Sequence, residues 1–387
     1  MRVVKLLPND FMNESRDLRE ISTLISLGCD VHVVAKETNR TPPHYTFDVT
    51  RMTSRPLSNY TNSPSINRLA SLYLWTKKVR ELKPNIISCH DKLCLLIGWL
   101  STLFLTNKPA LVYDSHEFEY ARNEKRGFLK KMYVKYQERF LIKKCAFSIM
   151  VNDSIADAVK QLHHLEKRPI VVRNIPNYWN LDDNVILENR KALMKKYNID
   201  SNETLVLYQG GVTTGRGIEN AIKALKNIGN SRLIVLGNGE KSYLDSLKNL
   251  SKDEGVPERI IFLPAVPSDQ LCFFTGIADI GLCNIDNICL SYYYSLPNKL
   301  FEYIQGKVPI VGSDFPEIRR IIEGYNIGIC CDSSNPESIA QSVNELREDA
   351  HYNAIKDNLK LAKEDLCWEH EEKVLKDAYA DLIKSIS

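Results

Sequence analysis

The chain has 387 residues, 44% of them hydrophobic and 26% charged, which is long for one domain and comfortable for two. Its longest apolar run, 94–105, falls short of the 18 or so residues that a membrane-spanning helix needs, so composition excludes such a span. A net charge of +3 conceals opposite halves: residues 1–176 hold 28 Lys+Arg against 17 Asp+Glu, and the remainder holds 23 against 31.

Short β-rich runs alternate with helical patterns throughout, which predicts parallel α/β layers. The first half begins directly in a strand, with no signal-peptide pattern. Strands are predicted at 3–7, 31–35, 86–89, 110–113, 148–151 and 170–173, with one weak strand at 46–49 inside a surface loop over 40–66. Polar residues follow three of these strands at once: Asn9-Asp10, His90-Asp91 and Asp114-Ser115-His116-Glu117. Such strand ends gather at the edge where parallel sheets take ligands. His116 is the sharpest candidate, because flanking carboxylates can hold its tautomer.

Residues 51–150 carry 18 Lys+Arg against 7 Asp+Glu, among them Arg55, Arg68, Lys125, Arg126, Lys130, Lys131, Lys135, Lys143 and Lys144. This excess suits an anionic membrane surface and carries no nucleic-acid recognition motif. The expected location is cytoplasmic, peripheral at the inner face of the membrane. Ten cysteines without a C-x-x-C pair agree, reading as reduced, buried thiols.

The turn-forming stretch 174–180, Asn-Ile-Pro-Asn-Tyr-Trp-Asn, interrupts the alternation and marks the domain boundary. Strands follow at 205–209, 232–237, 260–263, 280–283, 309–312 and 327–331. After the first of these comes Gly210-Gly211-Val212-Thr213-Thr214-Gly215-Arg216-Gly217, then apolar residues at helical spacing. Strand, glycine-rich turn and helix is the order that cradles phosphate, and Arg216 adds a fixed charge. The dinucleotide fingerprint is not met, since Asn220 stands where its third glycine belongs. Further on, Ser295-Leu296-Pro297-Asn298-Lys299 reads as a polar loop opening a short helix, and a helix N-terminus is a natural phosphate seat. Glu302 lies one turn in, where a carboxylate can accept hydrogen bonds from ribose hydroxyls. No metal is expected: His163 and His164 diverge, and His90, Asp114 and His116 lack ligand spacing.

Together these residues resemble the retaining GT-B glycosyltransferases of family 4, over nearly the whole chain. The matching landmarks are Asp114 to Glu117, Asn174 to Asn177, Tyr208 to Val212 with Arg216-Gly217, Leu236-Gly237-Asn238-Gly239, Pro297 to Gly306, and Trp368-Glu369. The resemblance implies two Rossmann-like doubly wound domains facing each other across a cleft: an acceptor domain at 1–173 and a nucleotide-sugar domain at 174–366. A helix over 367–387 is expected to cross back to the first. It implies transfer of a sugar from a nucleotide diphosphate donor, a UDP-sugar first, to a glycan or lipid-linked glycan, with configuration kept and no metal or other cofactor. Arg216 and Lys299 would meet the diphosphate, Glu302 the ribose, and His116 the transferred sugar. Gly210, Gly211, Gly237, Pro297, Asn298 and Leu300 complete the expected donor site.

Two departures qualify the likeness. Many family members carry a second glutamate eight positions before the ribose glutamate, and Tyr294 stands there instead. The glycine-rich first loop common in the family is replaced by Pro8-Asn9-Asp10-Phe11, which makes Asn9, Asp10 and Arg16 acceptor-binding candidates. A nucleotide-sugar 2-epimerase, or a non-catalytic subunit of the same fold, is the alternative.

Overall fold

The computed structural model describes residues 1–12, 15–41, 43–58, 60–122 and 127–386, with the backbone alone for 349–351. The chain divides into two compact units, Met1–Arg173 together with the segment from Glu372 on, and Asn174–Glu371. Unit 1 runs β1 (Arg2–Leu6), α1 (Ser15–Ser26), β2 (Asp30–Lys36), β3 (Asp48–Met52), α2 (Pro64–Glu81), β4 (Ile86–His90), α3 (Asp91–Thr102), β5 (Ala110–Ser115), α4 (Phe128–Ile142), β6 (Phe147–Met150), α5 (Asp153–His163) and β7 (Ile170–Val171). Unit 2 runs α6 (Asp183–Lys196), β8 (Thr204–Gln209), α7 (Ile218–Ala224), β9 (Ser231–Leu236), α8 (Lys241–Asp253), β10 (Ile260–Leu263), α9 (Leu271–Gly276), β11 (Ile280–Cys283), α10 (Leu290–Tyr293), α11 (Asn298–Gln305), β12 (Ile310–Ser313), α12 (Pro316–Tyr325), β13 (Gly328–Cys331), α13 (Pro336–Leu346) and α14 (Asp349–Asp365). A last helix, α15 (Trp368–Ile386), begins in unit 2 and ends in unit 1.

Both sheets are parallel and doubly wound. Strand order is β3-β2-β1-β4-β5-β6-β7 in unit 1 and β10-β9-β8-β11-β12-β13 in unit 2. Chain direction across the sheet therefore reverses between β1 and β4, and between β8 and β11. Loops splay apart at such a switch point and leave a crevice beyond the carboxyl ends. The apolar runs of the inner strands β1, β4, β5, β8, β9, β11 and β12 are buried on both faces, as strands covered by helices on each side must be, while the edge strands β3, β7, β10 and β13 are only partly buried. The edge strand β3 lies two residues beyond the expected 46–49, because its register follows β2, with Lys36 opposite Met52. β7 pairs over only two residues, shorter than its apolar run suggested.

An ion network inside unit 1 fixes α1 to the sheet. The Lys5 ammonium, on β1, lies 3.0 Å from Asp17 and 2.5 Å from Glu20, both on α1. Arg16 pairs with Glu20 at 2.9 Å and with Asp114 at 3.1 Å, and donates to the Val172 carbonyl at 2.8 Å. His90 Nδ1 is 3.2 Å from Asp17, and His116 Nε2 is 3.1 Å from Asp114. Burial opposes a charge on His90, but Asp17, Asp114 and Asp91 outweigh it and lift its pKa to about 9. Asp17 and Asp114 are held below the carboxylate range: burial works to raise both, and Lys5 with His90 for the first, and Arg16 with His116 for the second, prevail. With His90 charged, three cations (Lys5, Arg16, His90) balance three anions (Asp17, Glu20, Asp114).

A histidine whose folded pKa is raised contributes stability that is full below its unfolded value, near 6.5, and is lost as pH rises through about 9. Chemical denaturation at pH 6 and pH 10 should show the wild type losing on the order of 3 kcal/mol from this group, since each tenfold gain in proton affinity on folding is worth roughly 1.4 kcal/mol. His90→Gln should abolish that share of the loss; an unchanged pH dependence would refute the assignment.

Candidate active site

In unit 2 the crevice is built from two loops held against each other. β8 ends at Gln209, and Gly210 takes φ +122°, a region closed to most side chains. The loop after β9 approaches so closely that a Cβ on Gly237 (φ +157°) would lie 1.8 Å from the Gly210 carbonyl oxygen. Val212 N donates to the Asn238 carbonyl at 2.9 Å, so the pairing continues past the strands. Gly215 and Gly217, at φ +85° and +69°, turn the first loop back onto the end of β11. There Asp286 N donates to the Gly215 carbonyl at 3.1 Å. Arg216 projects from this turn with its guanidinium 5.3 Å from the Tyr292 ring centre.

The helix α11 supplies the other wall. Tyr303 anchors it: the ring packs where Gly281 has no side chain, and its hydroxyl donates to the Leu207 carbonyl at 2.9 Å. Gln209 N donates to the same hydroxyl at 3.2 Å. One residue earlier, the Glu302 carboxylate accepts from Gln209 Nε2 at 2.5 Å, while Gln209 Oε1 accepts from Thr275 Oγ1 at 2.9 Å. Gln209 therefore sets where Glu302 points.

Lys299 lies in the first turn of α11, 6% exposed, its ammonium 3.7 Å from the centre of the Tyr208 ring and, among the described residues, without a hydrogen-bond partner. Burial lowers its pKa to about 7; Cys283 and Glu302 counter this and Arg216 adds to it. Arg216 and Glu302 are thus each close enough to act electrostatically on Lys299, around the carboxyl end of β8. Tyr208 is held in turn by donating to the Gly211 carbonyl at 2.7 Å.

Not every expected donor residue fits as foreseen. Leu300 has its side chain in the core and its N–H donating to the Pro297 carbonyl, so neither is free to meet a ligand. Pro297 is the extended N-cap and Asn298 opens the helix. Gly211 has open space where a Cβ would be. Sequence reasoning did not assign roles to Gln209, Thr275 or Tyr303; the available signal was the position of Gln209, last in the strand before the glycine loop.

In unit 1 the ends of the adjacent strands β1, β4 and β5 carry Asn9-Asp10, His90 and Asp114 to His116. His90 stands opposite Asp114 in register, and the His90 and His116 rings lie 3.8 Å apart. This corrects the expectation that His90, Asp114 and His116 lack ligand spacing, since one donor atom from each falls within 4.8 Å of the others. The set nevertheless suits protons better than a cation: Asp114 is shared between Arg16 and His116, and His90 holds its own proton to about pH 9. Arg16 also departs from its assignment. It is 2% exposed and committed to Glu20, Asp114 and Val172, so it braces the interior instead of facing an acceptor. Asp10, partly exposed, is held below the usual carboxylate range chiefly by a hydrogen bond from Arg40. Asn9 accepts from Phe11 N at 3.0 Å and Lys36 N donates to its carbonyl at 2.8 Å, so Asn9 shapes the loop that presents Asp10.

Comparison with known proteins matches each half. Residues 18–178 fit the model of glycosyltransferase family 4, and residues 189–362 fit that of glycosyl transferases group 1. The uncharacterised glycosyltransferase MJ1607 of Methanocaldococcus jannaschii is 24% identical over 277 residues, which cover 69% of this chain and 67% of that one. Among solved structures, sucrose-phosphate synthase from Thermosynechococcus elongatus superimposes with a TM-score of 0.77 at 16% identity, covering both chains completely. Anabaena Alr3699/HepE, solved in complex with UDP, gives 0.74 at 14% identity, again over the whole of both chains. With one family model on each half and the same architecture throughout, the chain is a glycosyltransferase of the GT-B type, combining a family 4 segment with a group 1 segment.

Proposed function

We propose that the protein transfers a sugar from a nucleotide diphosphate sugar, a UDP-sugar in the first instance, to a lipid-linked glycan, keeping the anomeric configuration and using no metal. The observation that carries this reading is Lys299, a buried amine with no hydrogen-bond acceptor among the described residues, in a crevice that also holds Arg216 and the glycine loop. An anion is the missing counterpart. The UDP bound by the Anabaena neighbour is one such anion, which supports a uridine donor.

In this mechanism the bond from the anomeric carbon to the β-phosphate oxygen stretches first, leaving an oxocarbenium-like sugar. Arg216 and Lys299 take up the charge growing on the diphosphate, the role that preorganised donors play at a developing oxyanion. Glu302, aimed by Gln209, receives the ribose hydroxyls. The departing phosphate oxygen accepts the acceptor's proton as the acceptor attacks on the same face. In unit 1, His116, steadied by Asp114, and Asp10 are the groups assigned to the acceptor.

The partner surface is assigned to α4. Leu129, Tyr133, Tyr136 and Phe140 form one stripe at helical spacing, exposed by 83, 62, 56 and 50%. Lys130, Lys131, Lys135, Lys143 and Lys144 accompany it, and Lys92, Arg139 and Lys144 lie over three of its rings. Rings that enter the headgroup layer beside lysines that neutralise it fit an anionic bilayer. Lys125 and Arg126 lie outside the described residues. Among the described residues no helix is long and apolar enough to cross a membrane.

Arg216→Ala should lower turnover roughly 10²–10³-fold, as losing one oxyanion donor does, and Glu302→Ala should weaken UDP binding by about 1.5–3 kcal/mol, both without loss of thermal stability. Near-wild-type transfer by the two variants would remove the site. Calorimetry at pH 8 in two buffers of different ionisation enthalpy should register proton uptake on UDP binding, because Lys299, mostly neutral there in the free protein, becomes charged beside the diphosphate; Lys299→Met should abolish it. Activity should survive EDTA. The protein should sediment with phosphatidylglycerol vesicles at low salt and not with phosphatidylcholine, and Tyr133→Ser with Tyr136→Ser should release it while leaving UDP affinity unchanged.

A further inference from the structure

A second cavity, of about 560 Å³, lies wholly within unit 1 at the carboxyl edge of β1 and β2, where Pro8 and Lys36 meet α2, the segments 54–58 and 60–63 and the start of α3. None of the mechanism above uses it. Its inner wall is apolar: Leu72 and Trp75 from α2, Leu93 and Ile97 from α3. Its rim carries Lys36, Arg55 and Arg68, all exposed. Among the described residues no Asp or Glu lines the cavity, and none of the three rim cations forms an ion pair.

The wall is held in place from inside. Asn67, 5% exposed, accepts from Leu57 N at 2.9 Å and donates from Nδ2 to the carbonyls of Thr61 at 3.0 Å and Ser63 at 3.2 Å. Ser71 Oγ donates to the Thr53 carbonyl at 3.4 Å. The loop over the cavity is thereby tied to α2, so the cavity is a built recess.

We propose that this recess seats an amphiphilic phosphate, with the phosphoryl group at the rim and an apolar chain along the Leu72, Trp75, Leu93 and Ile97 wall. Three unpaired cations beside a low-dielectric wall attract an anion more strongly than the same cations on an open surface. Two guanidinium groups also match phosphate oxygens bidentately. A simple anion would leave the apolar wall in water, and a simple hydrocarbon would leave the cations unanswered; a molecule carrying both parts satisfies both. As a substrate this is the lipid phosphate of the acceptor, and that identification rests on the transfer reading above, whereas the binding itself does not.

The test is calorimetric titration of the full chain with geranyl phosphate below its micelle concentration, alongside geraniol, inorganic phosphate, glucose 1-phosphate and UDP. Geranyl phosphate should bind at least tenfold more tightly than geraniol, inorganic phosphate or glucose 1-phosphate. Arg55→Gln with Arg68→Gln, both surface changes, should weaken it at least tenfold and leave UDP affinity unchanged. Equal affinity for glucose 1-phosphate or inorganic phosphate, or an unaffected double variant, would overturn the proposal. Binding of geranyl phosphate without any binding of UDP would uphold the recess and sink the donor reading instead.

Discussion

An ammonium group removed from water with nothing to accept its protons is the constraint on which unit 2 turns. A buried charge of this kind is tolerated only when it is paired or shifts its pKa, and Lys299 has shifted. Its contact with the Tyr208 ring contributes on the order of 2 kcal/mol for a desolvated pair, less than the several kcal/mol of lost hydration. Cys283 gives no counter-ion, because burial pushes its thiol up to about 12 and leaves it neutral. Glu302 is occupied by Gln209. The fold therefore holds near its titration point, at neutral pH, a group whose charged form an anion would favour, and it places that group beside a glycine loop. Tyr303 and Gly281 keep α11 where this is so, since the ring seated on the glycine fixes the helix against the sheet.

Unit 1 treats buried charge in the opposite way. Lys5, Arg16 and His90 are matched by Asp17, Glu20 and Asp114 within one network. Replacing a buried pair by apolar residues is often neutral, but breaking one partner costs about 3–5 kcal/mol, so the network behaves as a unit. Its chemical effect lies at its exposed end. His116 is the member that reaches solvent, and Asp114, itself pinned by Arg16, fixes which ring nitrogen of His116 faces inward. Orientation of the one accessible imidazole is what the buried members supply.

The strands, the glycine loop and the helix at Asn298 were legible because each is written in adjacent residues: apolar runs, φ-permissive glycines, a proline at the N-cap. The ion network was not. Arg16, Asp17 and Glu20 give α1 the look of a surface helix, and only the proximity of β1, β4 and β5 turns those charges inward. His90 and Asp114 are far apart in the chain yet directly paired across adjacent strands, a relation set by sheet order and invisible in spacing. β3 slid by two residues for a related reason, since an edge strand takes its register from its neighbour. Leu300 lies between Lys299 and Glu302, which belong to the crevice, but helical periodicity sends it, with Phe301, to the core.

A basic composition proves to be three separate devices. Lys5 and Arg16 are interior ions, neutralised within the fold. The lysines of α4 are interleaved with exposed rings, and Lys36, Arg55 and Arg68 ring a recess with an apolar wall. Salt separates them physically. With a Debye length of about 8 Å at physiological ionic strength, the solvated lysines of α4 and the exposed rim cations are screened at longer range, whereas buried pairs are screened least. The net excess counted in the sequence thus overstates what any distant anion would feel. The lysines of α4 and the rim cations of the recess are different side chains of the same unit, so the surface role and the phosphate role proposed for them are separable.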